Sequence, residues 1–271
     1  MTETLRVDDE GGVRLLTINR PERRNALDRM TMAAMSEAFA DFAASDDLRV
    51  CVLTGEGDTA FCAGADIADT VNVNAKESFA GAFLQGPGTA ASPDYYLPWI
   101  SIGRHLRDKV AIAAVNGWAV GGGLELALAT DIRLASPNAR FGTPEVSIGS
   151  IPALGTIARL RQALPASWVM EMLLGGEAID ADRAHEVGLV SRVVPADRLL
   201  EESLELARTI AAKAPLAVRA VKFLLRFEGT LPVEDAETAE HLVWGLLAQT
   251  NDRAEGRRAF LEHRAPRYTG T

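Results

Sequence analysis

Cysteine and histidine are scarce in this 271-residue chain, which has 2 of the first and 4 of the second. Cys51 and Cys62 lie in apolar stretches without Cys-x-x-Cys spacing, which argues against a disulfide framework and fits a reducing cytoplasm. His105, His185, His241 and His263 are scattered, so no metal site is expected from them. Positive charge is in the minority, with 28 Lys and Arg against 37 Asp and Glu and a net charge of −9. That balance argues against a nucleic-acid or acidic-membrane binder, although local arginines can still hold an anion. No apolar run approaches a membrane span, and the acidic N-terminus has no apolar core of the signal-peptide kind. A Walker sequence and a Gly-x-Ser-x-Gly elbow are both missing. The 55–60 segment fits a dinucleotide fingerprint only loosely, because Phe61-Cys62-Ala63-Gly64 starts a helix poorly.

Apolar residues make up 48% of the chain, and a chain of this size buries roughly 75% of its unfolded surface, so a full core is available. Strands are expected at 13–19, 49–54, 110–115, 131–135, around 140–141 and at 188–194. Asp28 or Thr31 is placed to cap a helix reaching about Ala43, with Met32, Met35, Phe39 and Phe42 on one face. A strand, a short second strand and a helix recur three or four times. The expected fold is therefore α/β, a coil of β-β-α units over residues 1–195, not a flat doubly wound sheet. Residues 196–271 read as helical, with Val233, Ala236, Ala239, Val243, Leu246 and Leu247 in one stripe. Between Thr70 and Asp108 the pattern is irregular. It holds a Gly/Pro-rich loop at 86–93 and then Tyr95, Tyr96 and Trp99, and is either a functional insertion or a surface flap.

The strongest local signal is Gly121-Gly122-Gly123 before Leu124-Glu125-Leu126. Glycine weakens helices, so three at a helix start imply a backbone requirement: a ligand approached closely, or tight helix–strand packing. A helix beginning there exposes N–H groups to a negative charge. Glu125 either favours the helix dipole or serves a site, and its nearly all-apolar helix demands a reason for it. Glu145, 20 positions on, follows Pro144 and is either a cap or a site residue. Two carboxylates beside a developing oxyanion suit acid/base chemistry. Ala63-Gly64-Ala65-Asp66-Ile67 allows close backbone approach, or is a tight turn with Asp66 as a cap.

Taken in order, these segments resemble the crotonase family, also called the enoyl-CoA hydratase/isomerase superfamily. The resemblance runs from Asn19-Arg20-Pro21 and Asn25-Ala26-Leu27 through Ala63–Ile67, Ala113–Gly123 and Glu125-Leu126-Ala127. It continues through Asp131-Ile132, Pro144-Glu145, Gly149, Ile151-Pro152 and Arg159-Leu160 to Ala178 and Ala184–Leu189. It implies a spiral of β-β-α units with a helical C-terminal region that forms homotrimers, often stacked as hexamers. It implies an acyl-CoA thioester as substrate, with no separate cofactor, and an oxyanion hole made by the amides of Ala65 and Gly122. Both Glu125 and Glu145 are present, which favours a hydratase over an isomerase. Glu145 is then expected to transfer the proton, and Glu125 to position and activate water. CoA contacts are expected from Arg23, Arg24, Ala26, Leu27, Ala63, Asp66, Ile67 and Phe260. His263 stands where the family carries a lysine. The 66–110 stretch is longer than in short-chain hydratases, so Tyr95, Tyr96 and Trp99, with Trp118, are expected to shape a pocket for a bulky acyl group.

Overall fold

The computed structural model of the protein describes residues 4–70, 102–227 and 230–271. Tyr95, Tyr96, Trp99 and the 86–93 loop lie outside the described residues. Each early repeat contributes two strands and then a helical element: β1 (Leu5–Glu10), β2 (Val13–Ile18) and α1 (Arg29–Ala44), then β3 (Val50–Gly55), β4 (Ala60–Cys62) and α2 (Ile67–Thr70). Next come β5 (Val110–Val115), β6 (Trp118–Val120) and α3 (Gly122–Ala129), followed by β7 (Ile132–Ala135), β8 (Arg140–Gly142) and a 3-10 turn at Pro144–Ile148. The remaining elements are α4 (Thr156–Ala163), α5 (Ala166–Gly175), β9 (Ile179–Asp180), α6 (Ala181–Glu186), β10 (Arg192–Val193), α7 (Leu199–Ala211), α8 (Pro215–Leu225), α9 (Val233–Leu247) and α10 (Asn251–Leu261).

The strands form two sheets, ordered β1-β2-β3-β5-β7-β10 and β4-β6-β8-β9. From β3 to β8 the first strand of each unit joins the larger sheet and the second joins the smaller, with parallel pairing from unit to unit, and β9 then closes the smaller sheet antiparallel to β8. Over these three units the chain therefore spirals, laying one strand of each turn into each sheet, whereas β1 and β2 both lie in the larger one. This is the α/β architecture expected of the sequence, with helices following it at the C-terminal end.

Strands β3 and β5 are buried along their whole length, as parallel strands covered on both faces must be. One face packs in a core with Met32, Met35, Phe39 and Phe42 of α1. Asp28 caps that helix, accepting from Thr31 N at 2.8 Å. The other face packs Val50, Val52 and Ile112 against Leu199, Ala207 and Ala211 of α7. Small residues on α7 let it approach the sheet closely.

One expected strand is shorter than the sequence pattern suggests. The last strand is confined to Arg192–Val193, because the Leu189 and Val190 amides both donate to Ala184 O at the end of α6 and are not free for a ladder. Along the C-terminal stripe Val233 and Leu246 are 70% and 71% exposed, while Ala236, Ala239, Val243 and Leu247 are half-buried. No further layer of described residues covers Val233 or Leu246.

Candidate active site

Three parallel neighbours of the smaller sheet, β4, β6 and β8, end on one edge. The carboxyl ends of parallel strands are where α/β folds place ligands. The residues that follow these three strands include Ala65, Gly122, Glu125 and Glu145. Strand order thus gathers groups that lie up to 80 positions apart in the sequence.

Behind β4, residues 63–66 run alongside residues 24–27. Leu27 N donates to Gly64 O at 2.8 Å, and Asp66 N donates to Leu27 O at 2.9 Å. In such a parallel bridge between Leu27 and Ala65, the amide of Ala65 itself turns away from Leu27. Gly64 lies against the start of α3, where an added Cβ would stand 3.0 Å from Gly122 N. Gly122 is the first residue of α3, so its N–H has no intrahelical acceptor.

Two glycines of the triplet have a visible structural cause, one of them the tight packing considered for it. Gly121 adopts φ 54 and ψ −128, a conformation open to glycine and strained for other residues. Gly123 packs so tightly that an added Cβ would fall 1.9 Å from Cys62 O.

Glu125 is 7% exposed, and three donors compensate its burial. Its Oε1 accepts from Ala153 N at 2.9 Å, Leu154 N at 2.9 Å and Thr156 Oγ1 at 3.1 Å. One oxygen is therefore committed to the turn before α4. Glu145 sits in the first turn of the Pro144–Ile148 segment, and its Oε2 is buried without a hydrogen-bond partner among the described residues. Burial pushes the Glu145 carboxyl above its usual range. Its own backbone N–H opposes the rise, and the charge of Glu125 adds to it. The arrangement is two carboxylates near one another, one firmly bonded and one poorly satisfied, beside a helix N-terminus. Such a pair can hold a small polar molecule and exchange protons with it.

Of the other expected site residues, Ala26 and Leu27 adjoin Ala63–Ile67 through the bridge just described. Arg23 and Arg24 are exposed at the turn preceding them, and Ile67 is exposed at the start of α2. The carboxylate of Asp66 is engaged by Arg20, whose Nη2 lies 3.0 Å from it and 3.1 Å from Asp28. Trp118 begins β6, at the end of that strand opposite Gly121, and is 43% exposed. Phe260 is 79% exposed on α10.

The groups that hold Glu125 carry no strong sequence signal of their own. Two are backbone amides, and the third, Thr156, is visible only as a small polar residue after Gly155 at a helix start. Arg20 and Arg159 appear in the sequence only as members of the segments that carry the resemblance, not as partners of acidic residues.

Residues 8–271 match the family model described as enoyl-CoA hydratase/isomerase. The chain is 40% identical over 270 residues to an (E)-benzylidenesuccinyl-CoA hydratase of Thauera aromatica, covering 100% of both. It is 38% identical over 258 residues to a 2,3-dehydroadipyl-CoA hydratase of Escherichia coli, covering 95% of each. An enoyl-CoA hydratase structure from Bacillus anthracis superposes with a TM-score of 0.88 at 30% identity, over 99% of this chain and 100% of that one.

Proposed function

The chain belongs to the enoyl-CoA hydratase/isomerase family, and from that premise we propose that it adds water reversibly across a 2-trans-enoyl-CoA to give a 3-hydroxyacyl-CoA. The observation that carries this reading is the pair Glu125 and Glu145. One has a single oxygen anchored by three donors, and the other has a buried oxygen that lacks a partner among the described residues. In this reading one water is held between the remaining Glu125 oxygen and Glu145.

In this reading the amides of Ala65 and Gly122 donate to the thioester oxygen. That polarises the conjugated system, makes the β-carbon electrophilic and stabilises the enolate that follows. Glu125 orients the water and draws its proton as the oxygen bonds to the β-carbon. Glu145 supplies a proton to the α-carbon. One hydroxyl and one hydrogen are added, and both carboxyl groups return to their starting state once the proton is passed back between them. A carboxyl held above its usual range suits proton delivery near neutral pH.

Arg23, Arg24, Ala26, Leu27, Ala63, Asp66 and Ile67 would hold the CoA portion, with Phe260 contributing from the same chain or a second copy. Because Arg20 occupies the Asp66 carboxylate, the backbone of that residue is the group left to contact CoA. The relatives act on different acyl groups by name, which supports the thioester chemistry and leaves the acyl group open.

Assembly belongs to the same proposal. Helices α8 and α9 bury none of their own residues fully, and Leu242, Trp244 and Leu246 are 67%, 60% and 71% exposed. Large exposed apolar patches mark interaction surfaces, and a homotrimer or a hexamer of two trimers would cover this one.

The test is to offer the protein a panel of trans-2-enoyl-CoA thioesters: crotonyl, cinnamoyl and a dicarboxylic enoyl. Loss of the conjugated absorbance with a product heavier by one water supports the reading. No water addition to any member of the panel would sink it.

A further inference from the structure

We propose that Arg159 is a positioning residue for Glu125, holding the 153–155 turn where its two amides reach the carboxylate. This inference rests on the reading of Glu125 as the water-binding carboxylate.

Arg159 lies on α4, and its Nη1 donates to Leu154 O at 2.6 Å. The N–H of that same residue, Leu154, donates to Glu125 Oε1 at 2.9 Å. The two bonds grip Leu154 from both sides. With its carbonyl fixed by Arg159 and its amide fixed by Glu125, Leu154 has little freedom to rotate. Ala153, one residue earlier, then presents its own amide to the same oxygen.

The surroundings leave a slot for the guanidinium. A Cβ added at Gly155 would stand 3.0 Å from Arg159 Nη1, and one at Gly103 would stand 3.2 Å from Nη2. Glycine at both places lets the planar fork lie between the turn and the 102–105 helical segment. Arginine suits this better than lysine, because its fork has a fixed geometry. Burial lowers the pKa of the group, and the negative charge of Glu125 opposes that shift. The charge of Arg159 and that of Glu125 thus favour each other across the turn. An arginine that served only to stabilise α4 would not need to hold the residue that bonds Glu125.

The experiment compares full-length wild type with Arg159→Met and Arg159→Lys on the enoyl-CoA that wild type hydrates best among crotonyl-, cinnamoyl- and dicarboxylic enoyl-CoA. Arg159→Met should lower kcat by about 10-fold or more while KM changes less than about twofold, the mark of an interaction that acts in the chemical step. Arg159→Lys keeps the charge without the fork and should fall between the two. In a Glu125→Gln background, Arg159→Met should cost little more, because both changes act on one group. Wild-type kcat in Arg159→Met, or losses that multiply in the double variant, would overturn the inference. Should Arg159→Met not fold, Arg159→Lys decides: wild-type kcat there overturns it. A crystal structure of the variant gives a readout independent of turnover. The Leu154 amide is expected to leave Glu125, and a turn with all three bonds intact would count against the role. Wild type inactive on every thioester would instead be a failure of the hydratase reading.

Discussion

The carboxylate of Glu145 lies beside Gly121, where an added Cβ would stand 3.4 Å from its Oε1, in ordinary van der Waals contact. The turn that opens α3 and the acidic residue after β8 are therefore fitted to each other. Gly121→Ala should strain the backbone, by about 1–3 kcal/mol, and relief of that strain would shift the turn beside which Glu145 sits. We expect a folded protein with lower Tm and kcat reduced by about 10-fold or more. Thermal melting and steady-state kinetics check the two effects separately.

Gly123→Ala should behave differently. Its Cβ would collide with a backbone oxygen, Cys62 O, at 1.9 Å, and backbone cannot step aside as a side chain can. Overpacking typically costs about 1–3 kcal/mol and sometimes more. The expected result is loss of soluble protein, or a strongly lowered Tm, not a selective loss of activity.

Thr156 is fully buried and donates to Glu125 Oε1 at 3.1 Å. Thr156→Val keeps the shape and removes the hydroxyl. Two amides still hold the carboxylate, so kcat should fall only about 3- to 10-fold. Stability should drop by about 1.5–3 kcal/mol, the range for a hydrogen bond to a charged group. Denaturant melts and kinetics on the same preparation test both figures.

Burial holds the Glu145 carboxyl above its usual range. The folded protein therefore binds that proton more tightly than the unfolded chain. This contribution to stability is full below the unfolded pKa and is lost as pH rises through the folded one. Glu145→Gln should accordingly melt at a higher temperature than wild type at pH 7. The gap should close as the pH falls below the ordinary glutamate range. A Tm series against pH checks the sign, and a variant less stable at neutral pH would contradict it.

Leu242 and Leu246 lie one turn apart on α9 and are 67% and 71% exposed. If a second copy covers them, replacing both with aspartate should shift the light-scattering mass from a trimer or hexamer toward 29.0 kDa. An unchanged mass would show that this face is not the interface.

Much of the fold was legible because its strands are short apolar runs broken by glycine and its first helix has a clear cap and face. Gly121, Gly122 and Gly123 marked the site because three glycines weaken a helix start and are kept only where the backbone needs them. Strand β1 was not legible: Leu5–Glu10 buries only its first residue and carries charges, so its pairing with β2 leaves no apolar alternation. The surroundings of Glu125 were hidden for another reason. Its partners lie 28 to 31 residues on and include backbone amides, which leave no residue-type signature. The stripe on α9 has helical spacing whether a core or another protein covers it, so sequence alone could not say that the fold leaves Val233 and Leu246 exposed and half-buries the rest.

The most direct test of the account is the hydration rate of wild type and Glu125→Gln, measured side by side on the enoyl-CoA thioester that wild type uses best. Acid/base groups of this kind contribute about 10²- to 10⁴-fold, and the account predicts a loss in that range with the protein still folded. A Glu125→Gln protein that turns over at the wild-type rate would contradict it and point to chemistry run by Glu145 alone.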